Sequence, residues 1–291
     1  MESILKNQKM LVKLSTTGAE AIEIRRLDLD CNYLWGGDAQ YWASHSPVLF
    51  PMVCAAMNGE IKVDNQKYAM MNHSYARKTE FELLEQGETT AVYRLQADEK
   101  SLTIYPFKFQ LTIQYSLVEN SLEIDYQVKN VDDRDIYFQI GTHPGFNCPL
   151  ENDLSFEDYY LEFDQPEKLE RHFMNGANVL IPDRTTLIGE NVSRLPMTRG
   201  LFADGALVFP QIKSSRIVLK SDQSPRAVAV SFENMQQLGI WQAKDAPFVC
   251  IEPWHGLADV DGYTGEFKDR AAVIQLEPGK TFHCSMVIEA I

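Results

Sequence analysis

Strict two-residue alternation is the feature that most limits how this chain can fold. Phe109, Leu111, Ile113, Tyr115 and Leu117 alternate with Lys108, Gln110, Thr112, Gln114 and Ser116. After Glu119-Asn120 the pattern resumes as Leu122, Ile124, Tyr126 and Val128. Successive side chains of a strand point to opposite faces, so such a run buries one face and wets the other, and a polar break between two runs predicts an antiparallel hairpin. The same reading predicts hairpins from Leu11–Ser15 with Ala21–Arg25, Glu60–Val63 with Lys67–Met70, and Glu80–Leu84 with Ala91–Leu95. It also predicts them from Ala206–Phe209 with Arg216–Leu219 and from Ala272–Leu276 with Thr281–Ile288.

Helical periodicity is scarce. Residues 38–44 could form one or two turns with Asp38 as the N-cap. There is no glycine-rich phosphate loop, and strands do not alternate with long helices, which argues against a doubly wound nucleotide-binding fold. Residues 165–196 carry no clear period and read as a long surface excursion between strands. The expectation is an all-β protein, one large antiparallel β-sandwich domain spanning residues 1–291, a size that large sandwiches reach as single units.

Charge narrows the partners. The chain has 27 Lys and Arg against 41 Asp and Glu, a net charge of −14. Nucleic acid requires cationic groups to displace counterions, and anionic membrane surfaces attract basic segments, so neither partner is expected. A neutral small molecule remains compatible. The five cysteines are far apart and odd in number, with no C-x-x-C pair. That pattern predicts free buried thiols in a reducing compartment rather than a disulfide framework or a zinc knuckle. The expected location is therefore cytoplasmic, and the first six residues hold no apolar stretch of signal-peptide length. Residues 39–59 lack Asp, Glu, Lys and Arg but are too polar and proline-broken to span a membrane.

Two segments concentrate the chemistry. In Gly141-Thr142-His143-Pro144-Gly145, an apolar run delivers a histidine and meets proline at the next residue. In Cys250-Ile251-Glu252-Pro253-Trp254, an apolar run delivers a glutamate and again meets proline. Proline lacks the N–H of a sheet ladder, so each titratable group is expected at a strand end, a common place for ligand contacts. Imidazole can donate or accept a proton near neutral pH. A carboxylate at the end of a buried run must pair, protonate or meet a ligand, and desolvation moves its pKa towards the range of a general base. An acid and a base on opposite sides of a sugar suffice to open and close its ring. The structural alternatives are a half-buried histidine bonded to backbone and a carboxylate that caps N–H groups. Trp254 could wall an apolar sugar face. His73 and Arg77, in Met71-Asn72-His73-Ser74-Tyr75-Ala76-Arg77, can hydrogen-bond hydroxyls, and Asp204 could accept hydroxyl protons or simply make the Asp204-Gly205 turn.

Taken together, these segments resemble the aldose 1-epimerase (galactose mutarotase) superfamily, and within it the LacX-like branch. The likeness begins at Tyr33-Leu34-Trp35-Gly36-Gly37-Asp38 and Pro47-Val48-Leu49-Phe50-Pro51 and runs to the C-terminal strands. It implies a large β-sandwich that interconverts sugar anomers with no cofactor or metal. It also implies His143 as general acid on the ring oxygen, Glu252 as general base on the anomeric hydroxyl, and His73, Asp204 and Arg77 as substrate-binding positions. The first motif departs from the His-Gly-Phe-Ala-Arg usual in that family: Ser74 stands where glycine would leave the backbone free, and Tyr75 would add a hydroxyl to the pocket wall. Thr142 replaces the asparagine often found before the histidine. The expected substrate is a free aldose of the galactose or glucose type, acted on by a monomer or homodimer. Alternatives are a hexose 6-phosphate mutarotase, which needs several cations around one end of the pocket with Arg77 and Lys78 as candidates, a non-catalytic sugar-binding protein, and a glycosidase pairing Glu252 with Asp204.

Overall fold

The computed structural model describes residues 1–243 and 245–291. Strands Phe109–Val118 and Ser121–Asn130 pair antiparallel over their whole length, from Phe109↔Asn130 to Val118↔Ser121. Their burial alternates residue by residue. Burying a Leu, Ile or Phe side chain stabilises by about 1.5–3 kcal/mol, so one inward face carries the hairpin. Strand Thr281–Ala290 continues this sheet on one side and strand Thr90–Gln96 on the other.

Strand after strand extends this ladder into a 15-stranded sheet in which every strand-to-strand pairing is antiparallel. A separate four-stranded sheet, formed from Glu2–Lys6 through Cys31–Asn32, packs Leu5, Val12, Leu14 and Ile24 into the same core. The two are tied by polar contacts as well: the Tyr115 hydroxyl donates to the Ala19 carbonyl, and the Tyr33 hydroxyl to the Ile291 carbonyl. The fold is the all-β antiparallel sandwich expected from the alternation. One short α-helix, Glu99–Leu102, is capped by Asp98. Residues 38–44 form no helix: the chain makes a single turn after Asp38, whose carboxylate accepts from the Gln40 N–H.

Three expectations about pairing are corrected. Residues 165–196 are not an irregular excursion: Tyr159–Met174 and Leu180–Pro196 form a long antiparallel hairpin. Its second strand is exposed on both faces, and its register shifts at several bulges, so no hydrophobic period marks it. Strands Leu207–Phe209 and Arg216–Ser221 do not pair with each other, because Tyr159–Met174 lies between them. Likewise Ile274–Leu276 pairs with Ile136–Phe138, while Thr281–Ala290 lies between Ser121–Asn130 and Ser224–Glu233. The other predicted hairpins form.

All five cysteines are free and buried. Among the described residues, no helix is long and apolar enough to cross a membrane.

Candidate active site

Glu252 sits in the middle of strand Phe248–His255, and the strand does not stop at Pro253 as the sequence suggested. Ile251 donates its N–H to the Pro144 carbonyl, and backbone groups two residues apart point to the same side. The missing N–H of Pro253 therefore faces the break between strands Ile140–Thr142 and Gly145–Asn147, where no ladder bond is lost. That break is His143-Pro144. The chain thus leaves the ladder to aim an imidazole while its neighbour keeps a carboxylate in register.

His143 Nε2 lies 3.3 Å from Glu252 Oε2, and both side chains are almost fully buried. The two are neighbours on one wall of a cavity rather than opposed across it. Burial pushes the Glu252 carboxyl well above its ordinary value. Burial also holds His143 well below the ordinary histidine value, with His73 and Arg77 adding to the effect. Burial thus works against charge on both groups.

The cavity is about 480 Å³ and contains His143, Glu252, His73, Arg77, Asp204 and Trp254 in its lining. The structure therefore brings all six predicted residues to one place, at different depths. Trp254 is 2% exposed and lies across glycines on both flanking strands. A Cβ on Gly141 would sit 2.5 Å from its ring, and one on Gly239 2.3 Å. Only the absence of side chains at these positions lets the indole lie flat there. Asp204, by contrast, is exposed at the rim.

His73 is held by its backbone. It donates its N–H to the Cys54 carbonyl, and the Cys54 N–H donates to His73 Nδ1 at 3.3 Å. With Nδ1 accepting, the ring proton belongs on Nε2, so His73 offers a hydrogen-bond donor. Burial, reinforced by Arg77, lowers its pKa to about 3, and it stays neutral. Cys54, His73 and Ser74 all adopt positive φ, at 55°, 58° and 58°. Such strained backbone clusters where a site demands it, at about 1–3 kcal/mol per residue. Ser74 occupies a conformation that glycine would adopt freely, partly compensated by its hydroxyl donating to Met70 Sδ.

Some residues of the cavity wall carry unpartnered polar atoms. Among the described residues, eight buried side-chain N or O atoms have no hydrogen-bond partner, and three of them (Asn72 Oδ1, Arg77 Nε and His143 Nδ1) belong to cavity residues. Native interiors seldom leave such groups unpaired, and these three are turned into the wall rather than towards the open cavity. Arg77 has no carboxylate within salt-bridge distance among the described residues, and burial lowers its pKa.

The sequence reading missed the aromatic wall. Trp42 stacks on His143 with ring centroids 4.8 Å apart, and Trp241 meets the same ring edge-on at 5.6 Å. Gly145 makes room, since a Cβ there would fall 3.1 Å from Trp42. Asn72, Asn175 and Asn178 were missed as well. A usable signal was present in the charge-free stretch 39–59, which supplies both Trp42 and Cys54. Tyr75 is corrected: it packs into the core against Phe109 and does not line the cavity. Thr142 also points away, with its hydroxyl on the Pro253 carbonyl. Lys78 is exposed and outside the cavity lining, as is His283.

Known proteins share this fold. The profile of the aldose 1-epimerase family matches residues 3–268. Protein LacX, chromosomal, from Lactococcus lactis subsp. lactis is 30% identical over 264 residues, 87% of either chain. A galactose mutarotase related enzyme from Lactobacillus acidophilus is 28% identical, with a TM-score of 0.94 over 100% of this chain and 97% of that one. A galactose mutarotase-like protein from Lactobacillus casei shares the fold at a TM-score of 0.94 over the full length of both chains, at 24% identity. With the sandwich, the strand-borne histidine and glutamate and the profile match in agreement, this chain belongs to the aldose 1-epimerase family.

Proposed function

We propose that the protein is an isomerase that interconverts the α and β anomers of an aldose of the galactose or glucose type by general acid–base ring opening. The observation that carries this reading is the buried contact of His143 with Glu252 on the wall of a cavity large enough for a sugar. The ring oxygen and the anomeric hydroxyl are both attached to C1, so an acid and a base that are themselves neighbours can serve them. With any carboxyl proton passed first to His143 across their contact, Glu252 takes the hydroxyl proton, the imidazolium supplies one to the ring oxygen, and the ring opens. Rotation about C1–C2 and the reverse transfers close it from the other face. Each positioned group contributes about 10²- to 10⁴-fold to such a step. His73 Nε2–H, Arg77 and Asn72 would hold sugar hydroxyls, Trp254 would cover an apolar face, and Asp204 would reach a hydroxyl at the rim.

A phosphorylated sugar is the weaker reading. Of the described cavity-lining residues Arg77 is the single Lys or Arg, and His73 beside it is neutral. A phosphate dianion would call for more positive charge than that.

The test is polarimetry and saturation-transfer NMR on freshly dissolved α-D-galactose, α-D-glucose and α-D-glucose 6-phosphate. Faster exchange of a free sugar is expected, and the His143→Asn variant should lose it while melting normally. Sugar binding without any faster exchange would instead favour a non-catalytic binding protein.

A further inference from the structure

Cys250 precedes Glu252 by two residues, so both side chains leave the same face of their strand. It plays no part in the proton transfers above. Its sulfur, an imidazole nitrogen of His143 and a carboxylate oxygen of Glu252 nevertheless lie within 4.8 Å of one another, and all three residues are buried. We propose that these side chains form a binding site for a divalent cation of the zinc class, and that a cation there blocks the acid–base pair. The blocking half rests on the function proposed above, whereas the binding half does not.

The donor set chooses the metal. A sulfur with an imidazole and one carboxylate suits zinc and its thiophilic neighbours, while magnesium and calcium demand oxygen ligands. The spacing fits as well. Zinc bonds to nitrogen and oxygen of about 2.0–2.2 Å in a tetrahedron set those two atoms about 3.4 Å apart. His143 Nε2 and Glu252 Oε2 are already 3.3 Å apart, so only the thiol has to close in. Charge fits too. A thiolate and a carboxylate together cancel a dication, leaving a neutral cluster in a place where net charge would be costly. His143 and Glu252 line the cavity and Cys250 lies behind them, so the fourth tetrahedral position opens towards the sugar site. His143 Nδ1 has no protein partner, so the supporting hydrogen bond that usually strengthens a histidine ligand is missing. Binding should accordingly be reversible rather than structural.

The test titrates the full chain with ZnCl₂ by calorimetry and with CoCl₂ by absorbance, and follows anomer exchange of α-D-glucose in the same samples. One site per chain is expected, with the near-ultraviolet band of a cobalt–thiolate bond. Exchange should fall in step with occupancy and return on adding EDTA. Cys250→Ser should lose the band and weaken zinc binding at least about tenfold. Cys54→Ala, whose thiol lines the same cavity, should keep the band. If serine at 250 unfolds the chain, Cys250→Ala takes its place. Absence of the cobalt band, or zinc bound equally well without the Cys250 thiol, overturns the site. A filled site with undiminished exchange overturns the blocking. Zinc binding by a chain that shows no exchange even in metal-free buffer keeps the site and removes the proposed function instead.

Discussion

The hairpin Phe109–Asn130 and the wall formed by His143 and Glu252 belong to one sheet yet are built on opposite terms. In the hairpin, inward residues are apolar and outward residues polar except at its ends, where Asn130 is buried and Val118 exposed, and the ladder runs unbroken through ten pairs. At the wall, the ladder breaks at His143-Pro144, titratable groups are buried in contact, and polar atoms of Asn72, Arg77 and His143 go unpartnered. Three non-glycine residues beside it hold positive φ. The first region follows the local rules, apart from Glu119 at φ 51° in its turn, and supplies stability. The second breaks several, and it does so where titratable side chains line a cavity.

The sharpest way to break this contrast is to exchange the two kinds of damage. Leu111→Ala, in the hairpin core, should cost about 2–5 kcal/mol of stability by denaturant titration, while each folded molecule keeps its exchange rate. His143→Asn should do the reverse, with exchange down by about 10²- to 10⁴-fold and a melting point near that of the wild type. A Leu111 variant that stays folded but inactive would show that the regions are not separable.

Gly239→Ala tests the backing of the wall. Its Cβ would press into the Trp254 ring, and overpacking of this kind costs about 1–3 kcal/mol. The indole must shift, so sugar binding by calorimetry should weaken as stability falls. An unchanged affinity would remove Trp254 from the sugar site.

Trp42→Leu removes the ring stacked on His143, a contact worth about 0.5–1.5 kcal/mol. An aromatic face favours the protonated imidazole. Without it, the limb of the pH–rate profile set by His143 should move to lower pH. An unmoved limb would leave Trp42 as mere packing.

The smallest effect is expected at Ser74. Its left-handed backbone suits glycine, so Ser74→Gly should relieve strain, offset by the lost contact with Met70 and by the greater freedom of the unfolded chain. A net change within about 1 kcal/mol is expected. A larger loss would mean that the hydroxyl, rather than the backbone, sets this turn.

The same contrast explains what could be read from the residues alone. The hairpin was legible because burial on a single face writes a period of two into the sequence. Strand Leu180–Pro196 was not, because it is exposed on both faces and nothing selects apolar residues at alternate positions. Pairing partners were legible only between neighbours along the chain. The strand lying between Leu207–Phe209 and Arg216–Ser221 comes from much earlier, and no local pattern records it. At the site, His143 and Glu252 stood out because proline follows each of them. Pro253 misled about the strand end, since the direction of its missing N–H depends on a neighbouring segment. Nothing local singles out Trp42 and Trp241, and their contact with His143 is purely tertiary.

Stability against pH carries the signature of the buried pair. Folding holds Glu252 protonated, whereas the unfolded chain ionises it above about pH 4.3, so stability should fall as pH rises through and beyond that value towards the raised folded one. His143 supplies the opposite limb. It is neutral in the fold and protonates when unfolded below about pH 6.5, so stability is also lost as pH falls below that point. Glu252→Gln removes the first limb and should melt above the wild type at pH 8, the two converging near pH 4.

The most direct measurement is the anomer-exchange rate of Glu252→Gln on α-D-glucose, by saturation-transfer NMR at pH 8 with its melt recorded alongside. The account predicts exchange reduced by about 10²- to 10⁴-fold in a protein more stable than its parent. Exchange near the parent rate in a folded variant would contradict the role assigned to the buried carboxyl.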